Sequence, residues 1–370
     1  MANPREFRCA VLSAVKHDYI ARGIASHPRF ELAVVADDPG VPQWAHERNQ
    51  QFADEFGIPY VLDVDRALRE FNVHVAIVSS AVERHASLSI RAALAGKHIV
   101  QDKPLATHRE DADRLVAAVE QAGVRFLMWN RNFHPAILQA RDQIAAGAIG
   151  KPHAIHVDFY FAKDAGPPLG TRKPGDPPIN WFEHQIASHA DGSDGGLGIE
   201  PMGELACEGI YPLGYIQMLT GVEVRRVFAR SGTFFHQVHA DNGVEDLATV
   251  TLEMDGGLLG SIVLGRIGAA SHPGGGEIKL HVLGSEGALV IVESRPEVGI
   301  YYKNQPPKEP RQRRIANEND FLLADDFAKA VDENRDTAMG VRASHAIFAT
   351  VEAALESCRT GQPVEVQSSR

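Results

Sequence analysis

The stretch Ala92-Ala93-Leu94-Ala95-Gly96-Lys97-His98-Ile99-Val100-Gln101-Asp102-Lys103-Pro104-Leu105-Ala106 reads as a helical tail, a turn at Gly96, a short apolar strand, and then an acid, a lysine and a proline. The proline fixes the exit of the chain and disfavours helix at the residue before it. A lysine held at the end of a buried strand can orient a hydroxyl group and share in proton transfer, which makes Lys103 a candidate catalytic residue. The tripeptide is common by itself. Its weight comes from the strands and helices that surround it.

Short apolar runs alternate with helical patterns through the first 128 residues. Phe7 to Ala14, Glu31 to Asp37, Tyr60-Val61, Val73 to Ser79, His98 to Gln101 and Arg125 to Trp129 read as strands. Ile20 to His27, Trp44 to Phe56, Val64 to Phe71, Arg84 to Ala95 and Arg109 to Ala122 read as the intervening helices. Continuous apolar strands joined by helices imply a parallel sheet covered on both faces, the doubly wound α/β plan of a Rossmann domain. Ligands of such a sheet bind at the carboxyl ends of its strands.

From residue 129 to 370 the pattern changes. A helix from His134 to Ala146 leads into long strand-like segments at Ala154 to Phe161, Val224 to Phe234, Leu247 to Met254, Gly260 to Leu264, Ile278 to Leu283 and Ala288 to Val292. Turn signals such as Asp255-Gly256-Gly257 separate them, so a second, α+β domain with a mostly antiparallel sheet is expected. Helices at Phe321 to Asn334 and Ser344 to Arg359 close the chain. Between Lys163 and Gly198 lies a long segment rich in Gly, Pro, His and Asp, read as a substrate-side loop.

Composition narrows the classes. The 370 residues suffice for two domains, and the balance of 44% hydrophobic and 23% charged residues is that of an ordinary globular protein. A formal net charge of -11 argues against nucleic acid and anionic membranes as partners. Cys9, Cys207 and Cys358 form no disulfide framework or metal-finger spacing, and the N-terminus lacks a signal-peptide layout, so a reducing, cytoplasmic location is expected. His184, His189, Asp191 and Asp194 match no standard zinc pattern, and no metal site is expected.

The alternation calls for a dinucleotide site at the first strand-helix turn, normally built from glycines that let the backbone approach a pyrophosphate. Here the turn is Ser13-Ala14-Val15-Lys16-His17-Asp18-Tyr19, without glycine, and Ser13 and Lys16 are the side chains available to replace the missing approach. Asp37 ends the second strand where a carboxylate bonds the adenosine ribose hydroxyls. Its neighbours Asp38 and Pro39 supply no cation for a ribose phosphate, which favours NAD over NADP.

These residues resemble the Gfo/Idh/MocA family of oxidoreductases. Ser80-Ala81-Val82-Glu83-Arg84-His85, followed by the quoted stretch, is similar to the family's Thr-Pro-Asn-x-x-His element and its Glu-Lys-Pro motif, with Asp102 for the glutamate. Gly203 to Gly221 resembles the segment GGxLxDxGxHxxDxxxxLxG, and the ending from Asp325 to Val364 is also similar. The resemblance implies a Rossmann domain coupled to an open, mostly antiparallel sheet, and a hydride moved between NAD and a secondary alcohol of a sugar, polyol or sugar derivative. It implies that Lys103 is the catalytic lysine, that Tyr211 stands where the family's catalytic histidine stands, and that Cys207 replaces the aspartate before it. The Lys103 ammonium is expected to favour the Tyr211 phenolate.

The resemblance and the alternation together give the cofactor candidates Ser13, Val15, Lys16, Asp37, Ser79, Ser80, His85, Asp102, Lys103 and Asn130. Candidates for the carbohydrate are Arg131, Asp158, Tyr160, Lys163, Trp181, His184, Cys207 and Glu208. For Asn130 and Arg131 a role in entering the next helix is the alternative. The family's dimers and tetramers imply a homodimer or homotetramer built on the exposed second sheet. Two further functions fit the same residues: a redox-neutral enzyme that cycles bound NAD to cleave or epimerise a glycoside, and a non-enzymatic sensor of NAD or sugar.

Overall fold

A computed structural model of the chain describes residues 6–161, 202–267, 276–292, 300–302, 305–308 and 315–367. The first six strands are β1 (Phe7–Leu12), β2 (Phe30–Ala36), β3 (Tyr60–Val61), β4 (Val75–Val78), β5 (His98–Gln101) and β6 (Phe126–Met128). They form one parallel sheet in the order β3-β2-β1-β4-β5-β6. Every residue of β4 is buried, as the unbroken run Val-Ala-Ile-Val requires of a strand covered on both faces. The covering helices are α1 (Tyr19–Ser26), α2 (Gln43–Phe56), α3 (Val64–Glu70), α4 (His85–Leu94) and α5 (Arg109–Ala122). Gly57 and Gly123 end α2 and α5 in the left-handed conformation, which glycine adopts without steric cost.

The strand order reverses between β1 and β4. β2 and β3 extend the sheet from one side of β1, and β4 to β6 from the other, so the connecting turns diverge and leave a crevice at the carboxyl ends of these two strands. Asp37, Ser79, Asp102 and Trp129 directly follow β2, β4, β5 and β6 along that edge.

After α6 (Pro135–Ala145) comes β7 (Pro152–Phe161). α7 (Glu204–Glu208), α8 (Ile210–Thr220), β8 (Val224–Gly232), α9 (Gln237–Asp241), β9 (Leu247–Met254), β10 (Leu259–Arg266), β11 (Gly276–Gly284) and β12 (Ala288–Val292) follow. A hairpin of β13 (Ile300–Tyr302) and β14 (Gln305–Lys308) precedes α10 (Ile315–Asp332), α11 (Val341–Thr360) and β15 (Val364–Glu365). The second sheet runs β12-β11-β7-β10-β9-β8-β15. It is antiparallel except at its centre, where β10 lies parallel to β7. β8 stops at Gly232 and not at Phe234, because the amides of Phe234, Phe235 and His236 all turn onto the Asp246 carboxylate.

The period of two along these strands separates a dry face from an open one. Ile155, Val157 and Phe159 of β7, Val250 and Leu252 of β9, and Leu280 and Val282 of β11 are buried. The two C-terminal helices return to the first domain. Phe327 of α10 stacks on Phe30 of β2 with ring centroids 6.3 Å apart, and the Met128 amide donates to the Met339 carbonyl at 3.0 Å. Gly23 makes the close approach of α1 possible, since a Cβ there would lie 3.1 Å from that of Asp320. Among the described residues no helix is long and apolar enough to cross a membrane, and no cluster of His, Cys, Asp or Glu is arranged to hold a metal ion.

Candidate active site

Lys103 leaves β5 into the cleft between the sheet edge and α7. Its Nζ donates to the Cys207 carbonyl at 2.7 Å and lies 3.4 Å from Oε1 of Glu208, and both Lys103 and Glu208 are buried. Burial opposes a charge here. The Glu208 carboxylate, with Cys207, Asp102 and Tyr19 behind it, outweighs burial and holds the Lys103 pKa above that of an ordinary lysine. Lys103 is therefore a fixed ammonium and no proton acceptor.

The same ammonium sits over the Tyr211 ring, 5.5 Å from its centroid, and the Arg131 guanidinium covers the ring at 5.8 Å. Phe159 of β7 stacks on Tyr211 with centroids 5.8 Å apart and an interplanar angle of 19°. α8 thus presents its tyrosine between the second sheet and the lysine. The expected phenolate is not what this environment favours. Burial, then the Glu208 and Asp102 charges, raise the Tyr211 pKa well above its usual value, and Arg131 and a hydrogen bond from Tyr19 recover only part of that. The lysine approaches the ring face instead of the hydroxyl, so Tyr211 is a neutral phenol.

Asp102 serves the turn. It is fully buried; its Oδ1 accepts the Lys103 amide at 2.7 Å, and its Oδ2 lies 2.6 Å from Nδ1 of His17. Burial would raise its pKa, but His17 above all, with His85 and Lys16, brings it down to about 2. His17 was not singled out by sequence, although a histidine in a turn that lacks glycine is the available signal. Tyr19, the next aromatic, has its ring centroid 5.2 Å from that of His17 and reaches the Tyr211 hydroxyl.

The glycine-free turn keeps the shape a glycine would give it. Ser13 has φ of 65°, in the left-handed region, at a cost of about 1–2 kcal/mol for a side-chain-bearing residue. The Ala14 amide is taken by Asn49 Oδ1 at 2.7 Å and the Lys16 amide by the Ser79 carbonyl at 3.2 Å. Val15 buries its side chain with Val41 and Ala45. Burial and the neighbouring Lys103 lower the Lys16 pKa, against the partial relief of Cys207, Asp102 and Glu83. Ser13 Oγ and Ser79 Oγ are buried at the ends of β1 and β4 with no hydrogen-bond partner among the described residues. Two orphaned hydroxyls and a lysine that gains from a nearby anion fit a dinucleotide pyrophosphate in this crevice.

Asp37 is fully buried, with Asn49 Nδ2 donating to Oδ2 at 2.8 Å and Arg84 Nη1 to Oδ1 at 2.6 Å. The arginine was missed by sequence, because it arrives from the turn after β4 and not from a neighbour of Asp37.

Several candidates do other work. His85 is fully buried, its Nδ1 2.8 Å from the Pro104 carbonyl and its Nε2 3.2 Å from the Ser80 carbonyl, so it ties two turns together. Ser80 Oγ donates to the Ala81 carbonyl at 3.0 Å. Asn130 donates to the Met128 carbonyl at 2.7 Å and accepts the Asn132 amide at 2.8 Å, which orders the turn between β6 and α6. Asp158 and Tyr160 are not in the cleft: alternation along β7 sets them opposite Phe159, on the open face, where the Tyr160 hydroxyl donates to Asp158 at 3.1 Å. The Cys207 thiol donates to the Met202 carbonyl at 3.6 Å, and burial pushes its pKa up, so it is no nucleophile. Lys163, Trp181 and His184, like His189, Asp191 and Asp194, lie outside the described residues.

Comparison with known proteins agrees with this fold. Residues 11–130 match the family described as "Oxidoreductase family, NAD-binding Rossmann fold", and residues 201–290 match the "GFO/IDH/MocA C-terminal domain". The chain is 27% identical over 290 residues to scyllo-inositol 2-dehydrogenase (NAD(+)) of Bacillus subtilis, covering 77% of this chain and 74% of that protein. In fold it is similar to a putative myo-inositol dehydrogenase from Sinorhizobium meliloti, with a TM-score of 0.77, 20% identity and coverage of 98% and 100% of the two chains. It is likewise similar to scyllo-inositol dehydrogenase from Lactobacillus casei with bound NAD(H) and scyllo-inositol, with a TM-score of 0.75, 16% identity and coverage of 97% and 99%.

Proposed function

The chain belongs to the Gfo/Idh/MocA family of oxidoreductases with an NAD-binding Rossmann domain, and on that premise we propose that it moves a hydride between NAD and a secondary alcohol of a polyol, sugar or sugar derivative. One observation carries the reading: a buried ammonium and a neutral phenol, Lys103 and Tyr211, share a cleft at the carboxyl edge of a parallel sheet.

Ser13, Lys16 and Ser79 would hold the pyrophosphate, with Val15 contributing backbone only, and Asp37 would hold the adenosine ribose. Bound there, NAD supplies the hydride acceptor or donor. Lys103 donates a hydrogen bond to the reacting oxygen and stabilises negative charge on it, and Glu208 keeps the lysine charged. In reduction Tyr211 delivers its phenolic proton to that oxygen; in oxidation it takes the alcohol proton as the phenolate, after its own proton has left by way of Tyr19, so that direction is favoured at high pH. Arg131, beside the phenol, faces the substrate.

The outer face of the second sheet, with Phe228, Leu259 and Val290 exposed, is covered by further copies of the chain, giving a homodimer or homotetramer, and the protein works in the cytoplasm. The test is a panel of inositols, sugars and sugar acids mixed with NAD and separately with NADP, reading reduced nicotinamide directly. Hydride transfer to NAD from a polyol or sugar is the expected outcome. NAD that co-purifies with the protein and turns a glycoside over without net reduction points to redox-neutral cycling, and binding without any turnover points to a sensor.

A further inference from the structure

Around Asp37 the chain has built more than a ribose anchor. Arg84 bridges two acids, with Nη1 2.6 Å from Asp37 Oδ1 and Nη2 3.0 Å from Asp38 Oδ2. Arg91 meets the same Asp38 oxygen at 2.7 Å and reaches Asp65 at 3.0 Å. The side chains grade from buried to open along this line: Asp37 is 0% exposed, Arg84 13%, Arg91 29%, Asp38 35% and Asp65 50%.

A guanidinium against the ribose carboxylate is the group a ribose 2′-phosphate requires, since arginine pairs with phosphate through parallel charge-assisted hydrogen bonds. In this pocket it is already committed. Three carboxylates face two guanidiniums, so the chain of pairs keeps one negative charge. Each arginine spends its donors on two acids. Asp38 is the member shared by both arginines, and it is more open to solvent than either of them.

We propose that Asp38 and Arg84 determine cofactor choice together: Asp38 holds Arg84 and Arg91 away from a 2′-phosphate, and the pocket selects NAD through this ion-pair chain and not through Asp37 alone. The inference rests on the reading of the crevice as an NAD site. Removal of the Asp38 charge leaves two acids against two arginines, frees one arm of each guanidinium, and clears the carboxylate nearest the incoming phosphate. A charge-assisted hydrogen bond contributes about 1.5–3 kcal/mol, which is roughly ten- to a hundredfold in affinity.

The experiment measures dissociation constants of NAD and NADP by calorimetry on the full chain, for wild type, Asp38→Ala, Asp38→Asn and the pair Asp38→Asn with Arg84→Met. Wild type is expected to bind NADP much more weakly than NAD. Both Asp38 variants are expected to narrow that ratio about tenfold or more, mainly by tighter NADP, and the added Arg84→Met to remove most of the gain, leaving what the freed Arg91 supplies. Asp38→Asn keeps the side chain's size, so it carries the test if the alanine variant does not fold. Wild type binding both cofactors equally, an unchanged ratio in a folded Asp38 variant, or a gain left undiminished by loss of Arg84 overturns the proposal. Wild type that binds neither cofactor overturns the reading of the crevice itself, an outcome the NAD titration separates from the others.

Discussion

Lys103 and Tyr211 differ in what sequence could say of them. The lysine was legible because Asp102-Lys103-Pro104 follows a short apolar strand in an alternating pattern. Its partner rested on a resemblance, and its protonation was read the wrong way, because no spacing reports the burial of the phenol or the Glu208 and Asp102 charges that act on it. The corrected state has a kinetic consequence. With its pKa above the usual value of about 10, Tyr211 remains a proton donor through the neutral and mildly alkaline range. Reductive kcat/KM is expected to hold level to about pH 10, while oxidative kcat/KM climbs with pH over the same range. A reductive rate that falls off near neutrality would contradict this assignment. Tyr211→Phe keeps the stack on Phe159 and should fold normally while losing about a hundredfold or more in kcat, checked by steady-state kinetics beside a thermal melt.

At the scale of elements, the first turn and the end of β5 act as one unit. The lack of glycine was plain in the sequence; that Ser13 takes the left-handed conformation anyway, and that His17 latches the turn to Asp102, was not, because the latch joins residues 85 positions apart. Alternation along β7 was legible, but which face turned to the cleft was not, and Phe159 proved to be the inward residue. The latch carries stability. The Asp102 carboxyl sits at about 2 when folded against about 3.9 in an unfolded chain, so its contribution is fully present above that unfolded value and is lost as the pH falls towards 2. The difference corresponds to roughly 2–3 kcal/mol. Asp102→Asn should lower the melting temperature at pH 6, with the gap to wild type closing as the pH drops below 4. A gap of constant size across that range would show that the charge of Asp102 contributes nothing.

The whole molecule was readable in outline: a doubly wound sheet followed by a mostly antiparallel one. Two features escaped. The parallel pairing of β7 and β10 is long-range and leaves no mark in either strand, and the return of α10 and α11 to the first domain is set by contacts such as Phe327 on Phe30. The site depends on that assembly, because Lys103 comes from one sheet edge and Glu208 and Tyr211 from helices that pack on the other. Hydride transfer at this junction is the central claim, and it is tested most directly by rapid mixing of saturating NAD with the best substrate of the panel, for wild type and for Lys103→Met. Wild type should form reduced nicotinamide in the first turnover, and the variant, folded and still binding NAD, should form it about a hundredfold or more slowly. Equal first-turnover rates in the two proteins, or no reduced nicotinamide from wild type with NAD bound, would contradict the account.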